Sequence, residues 1–379
     1  MFIRCHVHHR SDHCCRWWLP CRLVRRSQTT FNPDALTRSL TLLQVRVHGP
    51  ADVRVDQIAE PEPGPADALV RVAACGICGS DLSYIKMGGV AGPGPEPLCL
   101  GHEISGTVDW VGPEVSSVHV GDRVVVQAGS SEPISKYGSG GPFGGLTPLL
   151  CVTEPDQRLH IVPDHVALDV AAFAEPLAVG MHAVDQAEVQ PGEGVVVFGC
   201  GPIGLGAVAT LVDRGHERVV AVDLSATRRD LALGLGAQAA FDPTTTDIWD
   251  ELKSLHGTKP FMFGPTAGTA AFIEASGADQ VILDVIDNAA VGARLSVVAL
   301  HYRPIKVSFL TLLMKELTLR GSIEYPARFE NSVDLLARRD LSALITHRFG
   351  LEQFDEALAV LDGSKDCGKV LIGVDATQW

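Results

Sequence analysis

The run GCGPIG follows an apolar stretch, Val195 to Phe198, and precedes a helical pattern of apolar residues. In such a strand, turn and helix, Gly199 permits a tight turn, Gly201 lets the backbone approach a pyrophosphate, and Gly204 lets helix and strand pack closely. Pro202 and Ile203 open the helix, whose N-terminus offers free N–H groups and positive potential to an anion. Asp223 ends the next apolar stretch, 19 residues beyond Gly204, where a carboxylate accepts from both ribose hydroxyls and repels a 2′-phosphate. A dinucleotide site at Gly199, Gly201, Pro202, Ile203, Gly204 and Asp223 is therefore expected, with NAD favoured over NADP. Arg228 and Arg229 follow; either would sit over the adenine or, in a less favoured arrangement, neutralise a 2′-phosphate. The plain alternative is a tight turn with Asp223 capping the next helix.

Cys75 and Cys78 form CGIC. No second C-x-x-C follows at the spacing of a four-cysteine zinc site, and a redox pair is a further alternative. Cys99, Cys151, Cys200 and Cys367 stand alone and read as small buried hydrophobes. Ten cysteines in 379 residues are too sparse for a disulfide scaffold, and Cys5, Cys14, Cys15 and Cys21 fall in an unusual opening segment. A reducing compartment, the cytoplasm, is expected.

The elements that must position these groups fall into two patterns. From about 41 to 165, short apolar runs such as ALVRVAA, GTVDWVG and DRVVVQA alternate with Gly and Pro clusters, as in an irregular antiparallel β domain. From about 186 to 322 the order is strand, turn, helix, strand, with QVILDV and ARLSVVAL as the later strands, the pattern of a doubly wound parallel sheet. Residues 323–379, with a helical FDEALAVLDG and a strand KVLIGV, are expected to pack back on the first domain. The uncharged run of 18 residues from Val195 to Val212 holds four Gly and one Pro, so it reads as buried strand, turn and helix rather than a membrane span.

Lys plus Arg number 31 against 45 Asp plus Glu, a formal charge of −14 that repels phosphate backbones and acidic membranes. Nucleic acid and membrane are not expected partners. Residues 1–40 run against this balance, with seven Arg, no Lys and two Asp. They read as a disordered leader or a mis-assigned start, with organelle targeting as an alternative; no apolar run of a secretory signal is present.

CGICGSD (75 to 81), GHE (101 to 103) and AEPLAVGMHA (174 to 183), in that order ahead of GCGPIG, resemble the zinc-dependent medium-chain dehydrogenases, most of all the sorbitol, butanediol and threonine dehydrogenase branch. The likeness spans about residues 41 to 375. It implies an α/β protein with a GroES-like catalytic domain (41–185, completed by 323–379) and a Rossmann domain (186–322). It also implies one catalytic zinc held by Cys78, His102 and Glu175, with Glu103 as an additional or alternating ligand. That S, N and O set suits zinc, and a catalytic site keeps one position open. His102 and Glu103 are neighbours, so ligation by both requires a bend in the chain. Pro176 would hold Glu175 at a rigid helix entrance, and Asp81 would accept from the second nitrogen of His102. Ser80 matches the family hydroxyl that passes the substrate proton outward.

Two departures stand out. Ser83 occupies the place of a histidine that completes the proton relay in many relatives, so the relay is expected to end in water or a ribose hydroxyl. Residues 127–150 lack the four cysteines of the structural zinc, so one zinc per chain is expected. The implied reaction is reversible hydride transfer between NAD and a secondary alcohol, vicinal diol or polyol. His301, Tyr302 and Lys306 are candidate pocket residues, with a surface loop as the alternative. The apolar segment 307–322 suggests a final strand at the interface of a homodimer or homotetramer. The rival readings are a zinc-free NADPH-dependent quinone or enoyl reductase and a non-catalytic nucleotide-binding member of the superfamily.

Overall fold

Val195–Phe198 is buried at every residue and lies at the centre of a six-stranded parallel sheet. The strand order is Ala239–Phe241, Val219–Val222, Val195–Phe198, Ala271–Glu274, Arg294–Val297 and Thr318–Gly321. Continuous Val-rich strands are what a parallel sheet covered on both faces demands, since neither side meets water. The order reverses between Val195–Phe198 and Ala271–Glu274, and the crevice at their carboxyl ends is where such sheets bind ligands. This computed structural model describes residues 41–129, 137–362 and 366–375. The expectations for residues 1–40 and for the middle of the 127–150 loop lie outside the described residues.

Two expected strands are corrected. QVILDV belongs to the helix Asp279–Asn288, and the strand before it is Ala271–Glu274. Ile282, Val285 and Ile286 share the buried face of that helix, a spacing of period 3.6 that the run of apolar residues disguised. The segment 307–322 is not one strand: it holds the helix Phe309–Lys315 and then the edge strand Thr318–Gly321. Phe309, Leu310 and Leu313 on that helix are exposed.

The second sheet is mainly antiparallel, in the order Ile345–Gly350, Lys369–Gly373, Ala68–Gly76, Glu103–Val111, Arg123–Val126 and Leu159–Ile161, with Leu149–Val152 also paired to Ala68–Gly76. Only Ile345–Gly350 runs parallel to its neighbour. Across the Ala68–Gly76 strand, Gly76 faces Glu103 on one side and Leu371 on the other. The C-terminal strand is thereby built into the same sheet as CGIC and GHE.

The two sheets are bridged by the helix Ala174–Ala187, which lies against the helix Pro202–Asp213. Their approach is set by glycine: a Cβ on Gly180 would stand 2.7 Å from both Ala207 N and Ile203 O, and one on Gly206 would stand 3.2 Å from Leu177 Cα. Leu177, Leu205 and Val197 are fully buried around this contact.

Gly180→Ala is expected to push the two helices apart and cost about 1–3 kcal/mol by overpacking, read as a lowered midpoint in urea unfolding; an unchanged midpoint would refute the close contact. His256, at the end of the helix Ile248–His256, is buried against Thr269, with Nδ1 2.8 Å from Oγ1. Burial, aided by the nearby Arg218 charge, lowers its pKa from 6.5 to about 4. The neutral ring is favoured in the folded state, so its contribution is present above pH 6.5 and is lost as pH falls toward about 4. Wild type should lose stability faster than His256→Phe over that window in denaturant titrations; parallel pH curves would refute the assignment.

Candidate active site

Cys78 follows the Ala68–Gly76 strand and N-caps the helix Gly79–Met87. Asp81, fully buried in the first turn, accepts from Cys78 N through Oδ2 at 2.8 Å and presents Oδ1 to His102 Nδ1 at 3.5 Å. One carboxylate thus accepts from the turn that carries the thiol and lies beside the imidazole. His102 precedes the strand Glu103–Val111, and Gly101 before it has φ 95°. His102 thus lies just outside the strand, where the alternation of strand side chains does not govern its direction relative to Glu103.

Ligand atoms of Cys78, His102 and Glu103 all lie within 4.8 Å of one another. Sulfur, nitrogen and oxygen donors at that spacing suit a zinc ion with bonds of about 2.0–2.3 Å, after small adjustment. The buried His102 Nδ1 and Asp81 Oδ1 have no hydrogen-bond partner. Metal binding at the other ring nitrogen would fix the tautomer that places a proton between them. Glu175 is not part of this three-residue cluster. It sits one residue into the helix Ala174–Ala187, and its Oε1 accepts from Tyr325 Oη at 2.9 Å. Pro176 falls third in that helix, where a missing N–H costs no intrahelical bond.

Two residues of the site carried no motif. Tyr325 joins Glu175 to Gly129 N, which donates to its hydroxyl at 3.3 Å. Lys369 begins the strand Lys369–Gly373, is buried, donates to Ile77 O at 2.7 Å and pairs with Glu103. A lysine heading an apolar strand was the available signal for it, since a buried ammonium needs a partner. Nothing in the sequence marked Tyr325.

The buried charges set each other's protonation. Burial pushes the Asp81 carboxyl up and raises Glu175 to about 7, with the neighbouring Glu103 charge adding to the rise. Burial alone would lower His102, but Asp81, Cys78 and Glu175 outweigh it and hold the imidazole well above its ordinary value. The Lys369 ammonium is likewise lowered by burial but raised overall by Glu103. The site is rich in acceptors and short of cations, a balance that a divalent metal would correct.

Ser80 is half-buried in the first turn after Cys78. Ser83 Oγ donates back to Gly79 O at 3.3 Å, within its own helix. Cys75 is fully buried, with Sγ 3.7 Å from Gly76 O, and burial pushes its thiol well up, which disfavours a redox role with Cys78. His301 is tied to Glu274 at 2.9 Å and Asp279 at 2.8 Å, whereas Tyr302 and Lys306 are exposed. His301 therefore ties the ends of neighbouring elements together beside the sheet's carboxyl edge.

At the Gly-rich turn, Gly199 has φ 87°, and a Cβ there would stand 2.6 Å from Ser276 N. A Cβ on Gly204 would strike Gly199 O. On Gly201 it would meet nothing nearer than Arg228 Nη1 at 4.0 Å, leaving open space at the helix N-terminus for a ligand phosphate. Asp223 Oδ2 accepts from Cys200 N at 2.6 Å and Oδ1 from Ser225 N at 2.8 Å. The side-chain cap of the next helix is Ser225 rather than Asp223. Arg228 lies by the turn, while Arg229 anchors Asp223 O, Leu224 O and Asp242. The residues present fit a dinucleotide.

Removing one partner of a buried ion pair costs about 3–5 kcal/mol. Lys369→Met should therefore destabilise the metal-free protein by that order, and added zinc should raise its melting temperature more than it raises that of wild type. Equal melting temperatures without metal would refute the buried pair.

Known proteins resemble this chain in sequence and in fold. Residues 64–164 match the family model described as alcohol dehydrogenase GroES-like domain, and residues 202–338 match that described as zinc-binding dehydrogenase. Sorbitol dehydrogenase of Rattus norvegicus is 33% identical over 354 residues, 88% of this chain and 96% of the relative. Among solved structures, 2R,3R-butanediol dehydrogenase from Bacillus subtilis superposes with a TM-score of 0.76 at 27% identity, covering 88% of this chain and 100% of that one. An alcohol dehydrogenase from E. coli CFT073 complexed with NADH gives 0.76 at 25% identity, covering 88% and 99%. The ordered motifs, the two folds and the clustered S, N and O donors lead to one conclusion: the chain belongs to the zinc-binding medium-chain dehydrogenase family.

Proposed function

We propose that this chain transfers a hydride between NAD and a secondary alcohol, vicinal diol or polyol, using one zinc ion. The observation that carries this reading is the Cys78, His102 and Glu103 cluster, joined to the Gly199–Gly204 turn by two helices in close contact. The sorbitol and butanediol dehydrogenase relatives support the substrate class.

Bound to Cys78 and His102 with Glu103 or Glu175, zinc would supply a Lewis acid that lowers the pKa of a substrate hydroxyl, and NAD would supply the hydride acceptor. Asp81 holds the His102 ring in place from its far side. Lys369 competes for Glu103 and so favours Glu175 as the persistent carboxylate ligand, with Tyr325 orienting it. Ser80 takes the substrate proton, a role suited to a hydroxyl that both donates and accepts. Ser83 is committed to Gly79 O, so the proton leaves Ser80 through water or a ribose hydroxyl. The Gly201 space admits the pyrophosphate, Arg228 stands beside it, and Asp223 takes the ribose hydroxyls.

In this reading the lobes divide near residues 185 and 323. The protein works in the cytoplasm as a homodimer or homotetramer, through the edge strand Thr318–Gly321 and the exposed Phe309, Leu310 and Leu313. No described helix is long and apolar enough to cross a membrane.

Zinc-replete protein should reduce NAD with one or more members of a panel of secondary alcohols, vicinal diols, polyols and threonine, and a chelator should abolish the rate. Residues outside the ligand set are worth about 10- to 100-fold at such sites, so Cys78→Ala is expected to cost at least 100-fold while NADH still binds. Turnover that survives both chelator and Cys78→Ala would remove zinc from the reaction and favour a metal-free reductase. Silence across the panel with NADH bound would favour a non-catalytic member.

A further inference from the structure

The turn after Asp223 is where a 2′-phosphate on the adenosine ribose would have to be received. Every hydroxyl and guanidinium in it is already engaged. Ser225 Oγ, the N-cap of the helix Ala226–Leu235, donates to Asp366 Oδ1 at 2.6 Å. Thr227 also bonds to Asp366. Arg228 Nε donates to Cys367 O at 2.8 Å. Arg229 Nη1 serves Asp223 O, Leu224 O and Asp242 at 2.8, 2.9 and 3.3 Å. Asp366 and Cys367 come from the far end of the chain, just before the strand Lys369–Gly373 of the other sheet.

Hydrogen bonds from Ser225 and then Thr227 hold the Asp366 carboxyl below its ordinary range, so it is an anion at neutral pH. It takes from Ser225 and Thr227 the bonds that a phosphate oxygen would take. It also adds a second negative charge to the turn that Asp223 begins. A phosphate brought there would meet the Asp366 carboxylate and hydroxyls already bonded to it, a repulsive form of specificity.

We propose that Asp366 is a coenzyme-specificity residue: from the C-terminal segment it occupies the Ser225 and Thr227 hydroxyls of the 223–229 turn, places a carboxylate beside them, and so disfavours 2′-phosphorylated dinucleotides. The proposal rests on the reading of Gly199–Gly204 as the dinucleotide turn, and it adds to Asp223 a determinant that lies 143 residues further along the chain.

The test is calorimetric binding of ADP-ribose and of 2′-phospho-ADP-ribose to the full chain, compared among wild type, Asp366→Asn, Asp366→Ala and Ser225→Ala. Melting temperatures confirm that each variant is folded. Wild type should bind ADP-ribose and discriminate against the 2′-phosphate. Both Asp366 variants should tighten binding of 2′-phospho-ADP-ribose about tenfold, by removing charge and freeing donors, with ADP-ribose within threefold of wild type. Ser225→Ala breaks the same link between segments but removes a donor, so it should bring no such gain. An unchanged ratio in both Asp366 variants overturns the proposal, as does an equal gain in Ser225→Ala, which would trace the effect to opening of the link. If wild type binds neither ligand, the dinucleotide reading itself falls, and the proposal with it.

Discussion

The closeness of the helices Ala174–Ala187 and Pro202–Asp213 is the constraint on which the rest of the molecule depends. One begins with Glu175 beside the metal cluster, and the other begins at the dinucleotide turn. Gly180 and Gly206 let their backbones approach to a distance that no side chain would permit. Hydride transfer works only when the reacting carbons are held within about 3–3.5 Å in the right orientation. A rigid, glycine-mediated contact between the two helices is a direct way to carry that alignment from one sheet to the other.

Around this contact the protein concentrates charge where water is scarce. Asp81, Glu103, Glu175, His102 and Lys369 are all buried within one region. Such a set is costly in a low-dielectric interior unless each charge has a partner. Lys369 answers Glu103, Tyr325 answers Glu175, and Asp81 faces both the Cys78 turn and His102. Acidic groups still outnumber cationic ones, a balance that the proposed zinc ion would offset. The same C-terminal strand that brings Lys369 to Glu103 begins just after Asp366, which reaches Ser225 in the turn after Asp223. One short segment thus contacts both the Cys78, His102 and Glu103 cluster and the turn after Asp223.

Much of this was legible in the residues themselves. The glycine spacing in GCGPIG reflects backbone sterics, which are local and travel with the sequence, and the Val-rich strands announce double-sided burial. The ordered CGICGSD, GHE and AEPLAVGMHA motifs pointed to the family because chemistry restricts residue types near a metal. Local pattern failed where an apolar run suits two structures: QVILDV packs one face of a helix, and only its neighbours distinguish that from a buried strand.

What the sequence determined by itself was therefore the α/β class with its GroES-like and Rossmann parts, the glycine-rich turn that opens a helix, and the S, N and O donors from which the proposed metal ligands are drawn. Tertiary structure alone decided which donors converge. Glu103 converges with Cys78 and His102 at the start of a strand that follows the left-handed Gly101, while Glu175 lies outside that cluster with its carboxylate bonded to Tyr325. It also decided that Lys369 meets Glu103 and that Asp366 meets Ser225, partners more than a hundred residues away in each case. Such contacts depend on strand pairing and helix packing across the whole chain, and no local spacing encodes them.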